Sequence, residues 1–491
     1  MTQEGEREQR ASAPAELLVG NEDHPIMQTP HAKKWPVSVM ALLLVVAPSP
    51  IPVSAQGQEI SAASFKFTAV DNQLLDEVNE INRQLEKKGL VLHDPEVGRY
   101  IEAIGHRVTA NQQPLEKVEF RFRVLRDPMV NASAYPDGTI YVTTGLLAKL
   151  ENEAQLASVL GHEATHAIQR HTYLENRSAR KKVLAINILS GVAAVTANVP
   201  NSGTWGSAIL QIANTGANVS AAILAASIFG YSREKEREAD RHGLELMTLA
   251  SYDPRAMPRT FQLLDEKLDF LPMESFYSDH PKLEEREKAA VEQIASENLK
   301  SGQLGTESDY LAHLAPAICA NIDADLNSRR ARTAVNRASR LVKWKPDEPQ
   351  YQVLLGDAYR VLSAKAAEPT SEEETRHGQA EHRKLYFQMT EAEEQRRLLS
   401  KPEGVSARDN NFREAEQLYL AALRLNPDYA AAHRGLGFLY EDEAKPADAA
   451  LEYRRYLDVT AGTSLDRLRV ERRLAAVEKA LPRREPQVPR Q

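Results

Sequence analysis

The sequence predicts an α+β fold, a mainly helical domain with a small sheet followed by an all-α domain of repeated helices. Three observations carry that prediction. Apolar residues recur at helical spacing along most of the chain. Two short runs, 118–125 and 139–143, break that rhythm with alternating or β-branched residues. A Pro-Asp…Leu-Gly…Tyr unit spans 346–359 and returns with the same internal spacing at 427–440.

Taken in order, the chain opens with 26 polar, acidic residues ahead of Met27, the alternative true start. Lys33-Lys34 then precede an apolar run from Trp35 to Ala47, and Val53-Ser54-Ala55 offers a small-x-small cleavage site. A basic segment, a short apolar segment and a small-residue site are the parts of a secretory signal peptide. Residues 1–55 are therefore expected to be a polar extension plus signal, and the mature protein to be periplasmic. The apolar run is too short to span a bilayer, and no cysteine stands at the cleavage site to take a lipid.

From Ser61 to about Gly105 the spacing of Leu74, Leu75, Val78, Ile81 and Leu85, then Val97, Tyr100, Ile101 and Ile104, is helical. Asp94-Pro95 is a helix-start signal for the second of these. Val118–Leu125 alternates as a half-buried strand that Asp127-Pro128 ends. Pro136-Asp137-Gly138 reads as a turn into Thr139–Thr143. This strand is expected to lie along a cleft as an edge open to an extended peptide.

Next comes Leu160-Gly161-His162-Glu163-Ala164-Thr165-His166. Residues four apart are helical neighbours, so His162 and His166 share a face and can grip one Zn²⁺, with Glu163 in reach of a water there. Asn152 can cap the helix, with Gln155 bonding back. A third ligand decides whether the motif is a metal site. An extended pattern would need Gly at 169 and His at 172, but Gln169 and Thr172 stand there. His171 misses that register by one and is read as a solvated helix residue. A separate charged run holds Glu236 and Asp240 one turn apart, followed by Gly243. One carboxylate can complete a His₂Glu set while the other orients a ligand histidine through its free ring nitrogen. One zinc per chain, on His162, His166 and Glu236 with Asp240 behind, is the expectation.

Between the two motifs, residues 183–230 are rich in Ala, Ile, Val and Gly, with Gln211, Asn214, Asn218 and Ser220 interrupting any membrane-length run. They are expected to form packed helices that graze a membrane surface. The metal domain is expected to span 56–300 and the repeats 301–491, joined by a linker at Gly302–Ser308. Leu355-Gly356-Tyr359 and Leu436-Gly437-Tyr440, with Ala334, Ala338, Ala415, Tyr419, Ala422, Ala449 and Tyr453 around them, follow the tetratricopeptide pattern. Its small residues let helices approach and its aromatics fill the groove. The spacing of the two units is no multiple of that repeat, so 365–408 is expected to be a charged insert.

A net charge of −8 argues against a general nucleic-acid binder. The single cysteine, Cys319, cannot build a disulfide framework, and no G-x-S-x-G elbow occurs.

These motifs together resemble the secreted zinc metallopeptidases of the BepA type, relatives of the HtpX and CAAX prenyl-protease group, over roughly residues 60–300. The resemblance implies that His162, His166 and Glu236 are zinc ligands, Asp240 their support and Glu163 the general base. It implies that Asn131 with Thr139, Tyr141 and Thr143 belongs to a substrate-edge strand. It implies further that Ser278-Asp279-His280-Pro281 and Arg286 form an element near the metal. His280 is then a candidate gate or fourth ligand, and Arg286 a candidate oxyanion stabiliser. The implied activity is zinc-dependent endopeptidase action on misfolded or misassembled envelope proteins, with the repeats recruiting a protein partner. The competing class is a repeat-based chaperone or scaffold with a latent zinc site.

Overall fold

The computed structural model describes residues 65–112, 117–177, 231–265, 283–328, 330–363 and 402–481. The leader, the 183–230 insert, His280 and most of the 365–408 insert lie outside the described residues.

Helix α1 (Ala69–Lys87) starts on a capping box, in which Thr68 accepts from the Asp71 N–H while the Asp71 carboxylate accepts from the Thr68 N–H at 2.7 Å. Helix α2 (Pro95–Thr109) starts as its sequence predicts, with Pro95 in the first turn and Asp94 Oδ1 accepting from the N–H groups of Glu96 and Val97. The apolar stripes of the two helices are buried.

Three strands follow, β1 (Arg121–Leu125), β2 (Ala132–Ala134) and β3 (Thr139–Thr143). Their order is β1-β3-β2, with β1 parallel and β2 antiparallel to β3. The predicted turn joins β2 to β3. Gly138 takes φ +88°, where a side chain is strained, and the Asp137 carboxylate accepts from the Thr139 N–H at 3.0 Å.

This order corrects one expectation. Thr139, Tyr141 and Thr143 lie on the middle strand, and all five residues of β3 are buried. A middle strand spends its N–H and C=O groups on both neighbours, so it cannot take a peptide. Among the described residues, β2 is the outer strand on that side, and Asn131 immediately precedes it.

Thr143 ends β3 and caps α3 (Thr144–Lys149), after which Asn152 caps α4 (Glu153–Ile168). Asn152 Oδ1 accepts from the Gln155 N–H, but the Gln155 side chain reaches the Glu151 N–H rather than that of Asn152. Helix α4 is buried on every side from Ala154 to His166, as befits an element at the centre of a core. Helices α5 (Arg233–Leu249), α6 (Ala256–Asp265) and α7 (Leu283–Ser296) follow.

Helices α8 (Glu307–Asn327), α9 (Ala331–Trp344), α10 (Pro349–Ser363), α11 (Pro402–Leu425), α12 (Ala430–Asp442), α13 (Pro446–Val459) and α14 (Leu465–Ala480) make up the C-terminal part. The repeated Leu-Gly…Tyr units fall on α10 and α12. The Tyr419 ring of α11 occupies the space beside Gly356 and Gly435, where a Cβ on Gly356 would come within 2.8 Å of it.

The expected edge at 300/301 is not a break in the core. One apolar cluster runs from Val97 through Leu146, Leu160 and Leu244 to Tyr310, Ile318, Ala338 and Leu355. Polar ties cross the same line. The Tyr310 hydroxyl donates to the Leu147 carbonyl at 2.9 Å, Thr144 Oγ1 donates to Asn321 Oδ1 at 3.0 Å, and Arg340 donates to the Leu150 carbonyl at 2.8 Å. Helices α8 to α10 therefore share the core that carries the metal motif.

Candidate metal centre

Two glycines bring the metal-binding helices together. Gly161 of α4 faces Gly243 of α5 so closely that a Cβ on Gly161 would lie 2.8 Å from the Gly243 carbonyl oxygen. A Cβ on Gly243 would lie 2.8 Å from the His162 backbone nitrogen. Without side chains between them the backbones meet, and ligands carried by the two helices can converge.

They do converge. His162 Nε2 lies 3.1 Å from His166 Nε2 and 3.6 Å from Glu236 Oε2, and His166 Nε2 lies 3.7 Å from Glu236 Oε1. All three side chains are buried. Ligands at tetrahedral corners around zinc, with bonds of 2.0–2.1 Å, are about 3.4 Å apart. The set therefore has the right size, and two imidazoles with a carboxylate are the donors of a catalytic zinc site.

The outward ring nitrogens are held as such a site needs. Asp240 Oδ1 sits 2.9 Å from His162 Nδ1, so the carboxylate accepts from an Nδ1–H and leaves Nε2 as a lone pair. Burial alone would raise the Asp240 carboxyl. The Arg286 guanidinium and His162 outweigh it and hold the group well below the usual carboxylate range.

Arg286 of α7 is buried and grips Asp240 with two donors, Nε to Oδ2 at 2.8 Å and Nη2 to Oδ1 at 2.6 Å. Its Nη1 lies 3.6 Å from Glu236 Oε2, and the guanidinium stacks over Phe261. Arg286, the candidate oxyanion stabiliser, is thus bonded to Asp240 and lies beside Glu236.

Glu163 is 99% buried beside the ligands and accepts from the Ala134 backbone N–H of β2. Its Oε1 has no hydrogen-bond partner among the described residues. Burial, with the Glu236 carboxylate adding to it, pushes the Glu163 carboxyl up to about 7. A bound dication would draw it back down.

His171 overturns its reading as a solvated residue, since it is fully buried. Helix α4 ends at Ile168, Arg170 takes φ +59°, and a new helical stretch begins at His171. On an unbroken helix, residue 171 would point roughly 140° away from residue 166. The left-handed residue at 170 swings it back, and His171 Nδ1 comes 2.9 Å from His166 Nδ1. Its Nε2 lies 3.2 Å from Glu238 Oε2, which also accepts from Lys235. Burial, with Lys235 adding to it, pushes His171 down to about 4, so the ring is neutral. Tyr231 stacks on His166 with ring centroids 3.9 Å apart. Sequence reasoning missed His171, Glu238 and Tyr231, because no periodicity marks a kinked register.

Comparison with known proteins agrees with this geometry. Residues 95–294 match Peptidase family M48. A putative beta-barrel assembly-enhancing protease of Vibrio cholerae is 31% identical over 245 residues, 48% of this chain and 47% of that protein. The beta-barrel assembly-enhancing protease of Escherichia coli is 29% identical over 190 residues, 38% of this chain and 36% of that protein. The mitochondrial metalloendopeptidase OMA1 of Arabidopsis thaliana is 30% identical over 230 residues, 45% of this chain and 42% of that protein. The chain thus spans less than half the length of these relatives. The triad, its anchors and the buried glutamate all fall inside the matched segment, and residues 95–294 are a metallopeptidase domain of family M48.

Proposed function

We propose that this chain is a zinc-dependent endopeptidase of the cell envelope that degrades or triages misfolded or misassembled proteins. The observation that carries the proposal is the Glu163 carboxylate, one oxygen fixed by Ala134 and the other unpartnered, beside the His162–His166–Glu236 set. A zinc held by that set supplies Lewis acidity and lowers the pKa of water. Glu163 takes the proton of the attacking water on Oε1 and returns it to the leaving amine nitrogen. Asp240 and Arg286 keep His162 in the tautomer that binds metal.

The substrate reading moves from β3 to β2. A peptide laid along the outer side of β2 would pair as an added strand next to Glu163, and Asn131 Oδ1, buried and unpartnered among the described residues, stands at its start. The envelope assignment is supported by the signal-like leader, which lies outside the described residues, and by the names of the bacterial relatives. Among the described residues no helix is long and apolar enough to cross a membrane. Helices α8 to α14 are read as tetratricopeptide repeats that recruit a protein partner, a reading supported by the glycine–tyrosine packing at Gly356, Gly435 and Gly437.

The test is zinc content and proteolysis of an unfolded protein by wild type and Glu163→Gln. Equal zinc in both with hydrolysis only in wild type is expected. Zinc without hydrolysis in wild type would favour the scaffold reading.

A further inference from the structure

We propose that His171 and Glu238 are a positioning pair for the metal: they hold His166 as its Nδ1–H tautomer and aim its Nε2 lone pair at the ion. The inference rests on the zinc reading of the triad. His166 has two ring nitrogens, and Nε2 faces His162 and Glu236 at 3.1 and 3.7 Å. A neutral imidazole that ligates through Nε2 must carry its proton on Nδ1, and that N–H needs an acceptor. His162 has Asp240 for this purpose.

For His166, the Nδ1 of His171 lies at hydrogen-bond distance among the described residues, 2.9 Å from its own Nδ1. His171 Nδ1 must then be the lone-pair nitrogen, which puts its proton on Nε2. The Glu238 carboxylate oxygen 3.2 Å from Nε2 accepts that proton's hydrogen bond. Each donor and acceptor has one consistent assignment: His166 Nδ1–H donates to His171 Nδ1, and His171 Nε2–H donates to Glu238 Oε2. Lys235, 3.0 Å from the same oxygen, holds the carboxylate in place.

Helix α5 therefore supplies three carboxylates with three tasks. Glu236 binds the metal, Asp240 orients one histidine directly, and Glu238 orients the other through a bridging imidazole. Glu238 sits two residues from Glu236, roughly 200° around the helix, and its carboxylate meets His171. His171 spans the gap only because Arg170 breaks the motif helix. Both ring nitrogens of the buried His171 are thus partnered, Nδ1 by the ligand-side histidine and Nε2 by a carboxylate.

The experiment measures zinc affinity of the full chain by competition with a chromophoric chelator. Thermal melting of the chelator-stripped protein is followed in parallel. His171→Phe keeps an aromatic ring beside Tyr231 but removes the acceptor. His171→Asn keeps an oxygen acceptor close to the position of Nδ1. We expect His171→Phe to bind zinc ~10–100-fold more weakly and His171→Asn to recover to within a few-fold of wild type. The metal-free variants should melt together. Wild-type affinity in His171→Phe overturns the proposal, and so does an Asn variant no better than Phe. Metal-free melting that falls in step with affinity overturns it too, by making the role structural.

Should His171→Phe not fold, Glu238→Ala is the second variant. A several-fold loss of zinc affinity there supports the pair, and unchanged affinity sinks it. Absence of zinc binding by wild type would instead overturn the metal reading itself.

Discussion

Replacing Gly243 by alanine tests the claim that a helix crossing, rather than the ligands alone, builds the metal centre. The new Cβ would meet three backbone atoms, the His162 nitrogen at 2.8 Å and the Gly161 carbonyl carbon and His162 Cα at 3.0 Å. None belongs to a flexible side chain, so the helices themselves must part, by roughly half an ångström to reach ordinary contact. Alanine gains about 1 kcal/mol of helix propensity over glycine. Overpacking a closed interface costs about 1–3 kcal/mol, and a rigid backbone contact belongs near the upper end. The net expectation is destabilisation of about 1–2 kcal/mol.

The larger effect falls on the metal. His162 is a ligand on one helix and Glu236 a ligand on the other, and a site tolerates errors of about 0.2 Å in its bonds. Zinc affinity should fall at least about tenfold, equivalent to about 1.4 kcal/mol. Competition with a chelator and thermal melting read the two effects separately. Gly98→Ala in α2 is the control, because nothing lies within 4 Å of its Cβ, and it should stabilise by about 0.5–1 kcal/mol. A Gly243→Ala protein that binds zinc as tightly as wild type would refute the argument.

Three further predictions follow from named contacts. Arg286→Leu should cost about 3–5 kcal/mol by leaving the buried Asp240 carboxylate unpaired, and should weaken zinc binding; melting within a degree of wild type would count against it. Burial alone would raise the Asp71 carboxyl, but Arg177 and Thr68 outweigh it and hold it below its ordinary 3.8. Its stabilisation is thus present above that pH and fades as pH falls through the folded value, so Asp71→Asn should be less stable at neutral pH and lose less as pH falls below about 4. An acid limb as steep as that of wild type would be the contrary result. Finally, a fragment starting at Gln303 strips Tyr310, Leu314 and Ile318 of their partners in α2 and α3. It should associate or melt well below the intact chain, and a monomeric fragment as stable as the intact protein would show that the shared core is dispensable.

The sequence by itself determined the local chemistry of this protein. His162, Glu163 and His166 are legible because four-residue spacing on a helix leaves one geometry for them. Glu236 and Asp240 are legible as a second pair of the same kind, and Asp94 and Asn152 as caps, because capping is settled within a few residues. The repeated Leu-Gly…Tyr units are likewise a local pattern. The tertiary structure decided everything that depends on which surfaces meet. The position of β3 between β1 and β2 follows from pairing among three strands, and no strand's own residues state how many neighbours it has. Arg286 meets Asp240 because the two helices that carry them come together. The core ran past residue 300 because Tyr310 and Ile318 found partners 150 and more residues away, while composition shows only a linker. His171 turned inward because one residue, Arg170, took a left-handed backbone that periodicity cannot foresee, and that single turn gave the second zinc ligand its partner.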